Sequence, residues 1–154
     1  MEISKLIDNV NNKYGKYNGN EIKYILQALD SESDETKKIS WVQRFEESFA
    51  EKMGVKYAIA VNTATSGLHA ALFAAGVKKG DEVIQPSKTV VMDAYVTIHL
   101  GAIPVFADID SKSWNISVNE IEKKITSKTK AIIVVSLCGL RVVMDPIMML
   151  AKKH

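Results

Sequence analysis

The sequence holds a single cysteine, Cys138, among its 154 residues. No intrachain disulfide can form, and no set of thiolates is available to hold a metal. Three prolines and eight glycines are too few for a collagen-like or low-complexity chain. No apolar run reaches the roughly 18 residues that would predict a membrane span. The opening MEISKLIDNVNNKYGK lacks the apolar core of a secretory signal. Neither sign of charge dominates: 20 Lys+Arg face 18 Asp+Glu, a formal net charge of +2. The basic residues are scattered rather than gathered on one stretch. That argues against nucleic acid or a membrane surface as partner, and the expected location is cytoplasmic.

What is present is average for a globular protein, with 47% hydrophobic and 25% charged residues. The length suits one domain, or one domain with an arm. Residues 1–40 read as an arm, a helix from Glu21 to Leu29 and a polar loop, DSESDETKK. Trp41, Val42, Phe45, Phe49 and Met53 fit one face of a second helix that Gly54 stops.

From Lys56 the pattern becomes regular. Four apolar runs read as strands: YAIAV (57–61), EVIQP (82–86), IPVFADI (103–109) and KAIIVVSL (130–137). Between and after them lie helical segments, Thr65–Gly76, Val90–Gly101, Asn115–Ile125 and Asp145–Lys153. Ser117 with Glu120 forms a capping-box pattern. Asp145 reads as an N-cap with Pro146 at the first helical position. Short strands apolar on both faces, alternating with helices, predict an α/β fold with a partial, doubly wound, mainly parallel sheet. Four units are too few for a closed barrel.

Ligands of such sheets bind beyond the carboxyl ends of the strands. The junction Val61–Gly67, VNTATSG, is the most informative. A helix N-terminus preceded by small and hydroxyl-bearing residues is a ready phosphate cup, with free N–H groups and a favourable dipole. The same residues are equally ordinary N-caps. No Walker lysine follows and no GxGxxG is present. Lys88, in QPSKTVV, is either a solvated loop lysine or an amine able to form an imine. His69 and His99 lack carboxylates at triad or metal spacing and read as structural. Asp108 and Asp110, two apart at a strand end, read as structural rather than metal-binding. Cys138 reads as a small buried hydrophobe.

The order of motifs adds a resemblance. WVQRFEESFAEKMGVKYAIAVNTATSGLHAAL, GVKKGDEVIQPSKTVVMDAYVTIHLGAIPVFADID, NISVNEIEKKITSKTKAIIVVSLCGL and MDPIMMLAKKH follow one another from Trp41. GDEVI, GAIPVFADID, KTKAII and MDPIM stand at the separations found in the DegT/DnrJ/EryC1/StrS family of PLP-dependent sugar aminotransferases. The stretch from Trp41 to Lys153 resembles the first part of that family's large domain, of fold type I. On this resemblance 41–154 is an incomplete large domain of four β-α units.

The resemblance implies pyridoxal 5'-phosphate as cofactor. It also implies an amino-acid donor such as glutamate, a nucleotide-linked keto sugar as acceptor, and a homodimer. Where the family has Ser-Gly-Thr around the PLP phosphate, this sequence has Thr63, Ala64 and Thr65. Ala64 and Thr65 are the implied phosphate ligands. Val90 stands where an aromatic residue often stacks on the PLP ring. Ser136-Leu137-Cys138-Gly139 stands for the frequent His-Leu-Tyr-Gly, and Leu140-Arg141 for Gln-Pro. The family's pyridine-pairing aspartate and Schiff-base lysine would fall beyond residue 154, so no catalytic residue is expected within this chain. The alternative expectation is a catalytically inactive fragment or a module that binds some other phosphate ligand.

Overall fold

In a computed structural model of the protein, residues 20–33 and 41–154 are described, with Lys5 and Asn9. The loose arm and most of the polar loop expected from the sequence lie outside the described residues. The chain divides into two compact units, one ending at Ala60 and the other running Val61–His154.

The first unit contains helices α1 (Asn20–Ser33) and α2 (Trp41–Met53). Tyr24 and Trp41 meet edge to face at 5.8 Å, and the Arg44 guanidinium lies over both rings. Gly54 closes α2 at φ +65°, a left-handed conformation that glycine adopts without steric cost. The apolar stripe expected on α2 forms, but Val42, Phe45, Phe49 and Met53 stay exposed, and only Ala50 is buried. The expected strand at 57–61 is absent. Its Ala60 N–H donates to the Glu46 carboxylate at 2.7 Å rather than to a neighbouring strand. Tyr57 and Ile59 are mostly exposed. An apolar run becomes a strand only where a second backbone pairs with it.

The second unit begins with α3 (Ala64–Ala74). Then come β1 (Glu82–Pro86), α4 (Met92–His99), β2 (Ile103–Ala107) and α5 (Val118–Lys124). It ends with β3 (Thr129–Ile132), a short 3-10 turn at Leu137–Gly139, and α6 (Met144–Lys153). The three strands form one parallel sheet in the order β2-β1-β3. β1 is central, and Val83, Ile84 and Gln85 are fully buried. Its two faces carry two cores. Val83 packs with Leu72 of α3 and Val96 of α4. Ile84 packs with Ile121 of α5 and with Ile147 and Leu150 of α6. Helices on both faces of a parallel sheet make the fold α/β and doubly wound, as the alternation predicts.

Three local expectations are corrected. The fourth apolar run pairs only over Thr129–Ile132, extended by one further bond from Ile133 N–H to the Ile84 carbonyl. Ser117 occupies the N-cap of α5, but its hydroxyl caps nothing, and Glu120 is drawn to Lys123 at 2.6 Å instead of completing the box. The N-cap of α6 is Val143, not Asp145. Pro146 is then third in the helix, still within the first turn, where a missing N–H costs nothing.

Candidate functional site

α3 ends beside the amino end of β1 and therefore starts toward the carboxyl end of the sheet. Its cap is Thr63, extended at φ −150° and ψ 157°. Thr63 Oγ1 accepts the Ser66 N–H at 3.1 Å, and the Gly67 N–H donates to the Thr63 carbonyl at 3.2 Å. The Ser66 hydroxyl donates to Asn62 Oδ1 at 2.7 Å. Capping is thus complete without Thr65. Two orphan donors of the first turn remain, the N–H groups of Ala64 and Thr65. Neither has an acceptor among the described residues, and the Thr65 hydroxyl has no partner there either. The helix dipole adds positive potential at the same point.

Thr65 is half-buried, while Asn62, Thr63 and Ala64 are exposed. The chain therefore offers two amides, one hydroxyl and an open approach at one place. That donor set fits a phosphate, and a methyl group at Ala64 removes none of its donors. The cap and the cup, alternatives in the sequence, are separate features here: Thr63 caps, and Ala64 with Thr65 are left over.

The junction after β1 carries the other expected site residue. Val90 is exposed, just ahead of α4. Its loop is fixed from two sides. The Thr89 hydroxyl donates to Asp93 Oδ2 at 2.6 Å, and Asp93 is itself buried, with its carbonyl accepting from the Thr97 hydroxyl at 2.9 Å. Ser87 Oγ donates to Asp108 Oδ1 at 3.1 Å, and Ser87 N–H to the Ala107 carbonyl at 2.8 Å. Topology thus puts Ala64, Thr65 and Val90 at the same end of the sheet.

Lys88 is not presented as a free nucleophile. Its Nζ lies 3.5 Å above the centre of the Trp114 ring. The ring face attracts the ammonium, which an imine would surrender. Trp114 stands at φ 57°, an outlier for a bulky residue. Asp110 accepts from the N–H groups of Lys112 and Ser113 and from the Ser113 hydroxyl. These bonds, the Ser113 N–H first, hold its carboxyl below the ordinary value. Both expected acidic residues are therefore engaged in loop structure. His69 and His99 come within 6.3 Å of each other, with Tyr95 beside His99. Cys138 is exposed rather than buried, at φ 52° in the turn after β3.

Sequence reasoning missed Asn115. It is buried, accepts the Leu137 N–H at 3.2 Å and donates to the Leu140 carbonyl at 3.1 Å. It ties the junctions after β2 and β3 together. It also missed Asp93, whose spacing with Val96 and Thr97 on the apolar face of α4 was the available signal.

The family model described as the DegT/DnrJ/EryC1/StrS aminotransferase family matches residues 16–154. The chain belongs to this family. It is 43% identical over 136 residues to the GDP-perosamine synthase of Escherichia coli O157:H7, covering 88% of this chain and 37% of the synthase. An aminotransferase from Psychrobacter cryohalolentis superposes with a TM-score of 0.71 at 42% identity, covering 73% of this chain and 29% of that one. A GDP-4-keto-6-deoxymannose-3-dehydratase with a trapped PLP-glutamate geminal diamine gives 0.78 at 28% identity, covering 90% and 37%. This family member thus spans between 29% and 37% of these relatives' length. PLP is the cofactor of the family, and nucleotide sugars are its substrates. Among the described residues no helix is long and apolar enough to cross a membrane.

Proposed function

We propose that this chain is the N-terminal, phosphate-holding part of a PLP-dependent aminotransferase. The enzyme moves an amino group from a donor such as glutamate to a nucleotide-linked keto sugar. The observation that carries this reading is the pair of unpartnered N–H groups at Ala64 and Thr65, beside an unused threonine hydroxyl. These three donors take the PLP phosphate, a dianion suited to a helix N-terminus. Val90 gives an aliphatic face to the pyridine ring, without the aromatic contribution of about 0.5–1.5 kcal/mol. Asp93 and Asp108 act through Thr89 and Ser87, holding the loop that presents Val90.

When bound, PLP supplies an electron sink for negative charge on the substrate carbon. On this reading the described residues of this chain bind and orient, and none of those described is assigned to move a proton at that carbon. Lys88 is committed to Trp114. On this reading the anchoring lysine and the ring-nitrogen aspartate come from polypeptide corresponding to the rest of the relatives' length, and the complete enzyme works as a cytoplasmic homodimer.

The test is thermal unfolding with PLP, pyridoxal or inorganic phosphate. PLP is expected to raise Tm and pyridoxal is not, and Thr65→Ala should remove most of the shift. Borohydride should trap no PLP adduct on the 154-residue chain. Equal shifts with PLP and pyridoxal would contradict the phosphate role. An equal shift with phosphate alone would favour the second reading, a module for other phosphorylated ligands.

A further inference from the structure

Two of the chain's three histidines meet in space. His69 lies on α3 and His99 in the last turn of α4, with β1 between them in the sequence. Both helices cover the Val83 face of the sheet and pack on each other. The two imidazole centroids are 6.3 Å apart, at an interplanar angle of 48°. The pair joins two helices rather than two turns of one helix, so the fold sets its separation. His69 is half-buried and His99 is exposed. Tyr95, one turn before His99, has its ring 6.3 Å from that of His99. Among the described residues neither imidazole has a hydrogen-bond partner.

A neutral imidazole without a partner offers a nitrogen lone pair. That nitrogen suits Zn²⁺, Ni²⁺ and Cu²⁺, whereas Mg²⁺ and Ca²⁺ take oxygen ligands. Two imidazoles on one tetrahedral zinc, each with Zn–N of about 2.0–2.1 Å, place their ring centres about 5–5.5 Å apart. Closing the 6.3 Å separation to that value takes about 1 Å. Rotation about the side-chain bonds of exposed His99 supplies such a movement. No third His, Cys, Asp or Glu completes a cluster with the pair among the described residues. Water therefore fills the remaining positions of an ion held there.

We propose that His69 and His99 together chelate one divalent transition-metal ion of the imidazole-preferring class, with zinc as its probe. The ion bridges α3 to α4. It stabilises the folded chain, because unfolding separates the two rings and only the folded state holds the chelate. Two other side chains have comparable affinity for such ions. Cys138 is exposed in the turn after β3, and His154 follows α6. Neither joins the pair. The site uses none of the phosphate donors at Ala64 and Thr65 and does not rest on the PLP reading.

The experiment titrates the 154-residue chain with Zn²⁺, with Mg²⁺ as control, and follows Tm. Zinc at about ten times its dissociation constant should raise Tm by about 3 °C or more, and Mg²⁺ should not. His69→Ala and His99→Ala should each weaken zinc binding about tenfold or more, since losing even an outer partner of a metal ligand costs that much. Cys138→Ser and His154→Ala should leave zinc binding unchanged. A second readout needs no variant. Substoichiometric Ni²⁺, which is paramagnetic, should broaden the ring-proton resonances of His69 and His99 together, ahead of those of His154. Zinc binding lost with Cys138→Ser or His154→Ala would overturn the assignment. So would binding that survives the loss of either His69 or His99 unchanged, broadening of only one of the two rings, or no response to zinc.

Discussion

Thr63 and Thr65 are the same residue type two positions apart, and they do different work. Thr63 closes the helix, so Thr63→Ala should cost about 1 kcal/mol of stability in a denaturant titration. Thr65 holds nothing within the described residues, so Thr65→Ala should stay within about 0.5 kcal/mol. The reverse order would show that the helix starts two residues later than described. The sequence displayed the hydroxyls but not their division of labour, because that depends on which residue is the last extended one. Asp110 offers a pH test. Its carboxyl is held below the ordinary value by the Ser113 N–H and hydroxyl. A depressed folded-state pKa gives support that is present above the unfolded value and lost as pH falls through the folded one. The Ser113 amide resonance should therefore follow a titration whose midpoint lies below the ordinary aspartate value. A midpoint at or above the ordinary value would contradict the bonding. The αL conformations of Trp114 and Cys138 were not legible at all, since neither residue type favours them.

At the scale of elements, helices were easier to read than strands. Helical bonds are local, so Trp41–Met53 and Ala64–Ala74 follow from their own residues. A strand requires a partner supplied from elsewhere. EVIQP has one on each side and forms as expected, whereas YAIAV has none among the described residues and stays irregular. The capping box at Ser117 failed for a side-chain reason, since Lys123 competes for Glu120. Central β1 contains one discord. Gln85 is fully buried, and its amide nitrogen and oxygen lack partners among the described residues. An unpaired buried amide costs about 1–3 kcal/mol. Gln85→Met should therefore raise stability by about 1 kcal/mol or more, measured by thermal unfolding. A loss of stability would show that the amide is paired in solution.

At the scale of the molecule, composition concealed what the fold reveals. The fraction of hydrophobic residues is ordinary, yet Phe45, Ile59, Phe73 and Met149 lie exposed. Amphipathic periodicity identifies an apolar face but cannot say what covers it. The family resemblance was legible because its motifs lie in one continuous stretch, and the match over residues 16–154 agrees with it. The chemistry was less legible, because a site at the ends of strands gathers residues from distant segments. The most direct measurement is an amide-resolved NMR titration with PLP, with pyridoxal as control. The Ala64 and Thr65 amides should shift with PLP and stay still with pyridoxal. Stationary Ala64 and Thr65 amides under PLP, with shifts gathered elsewhere, would contradict a phosphate site at the start of α3.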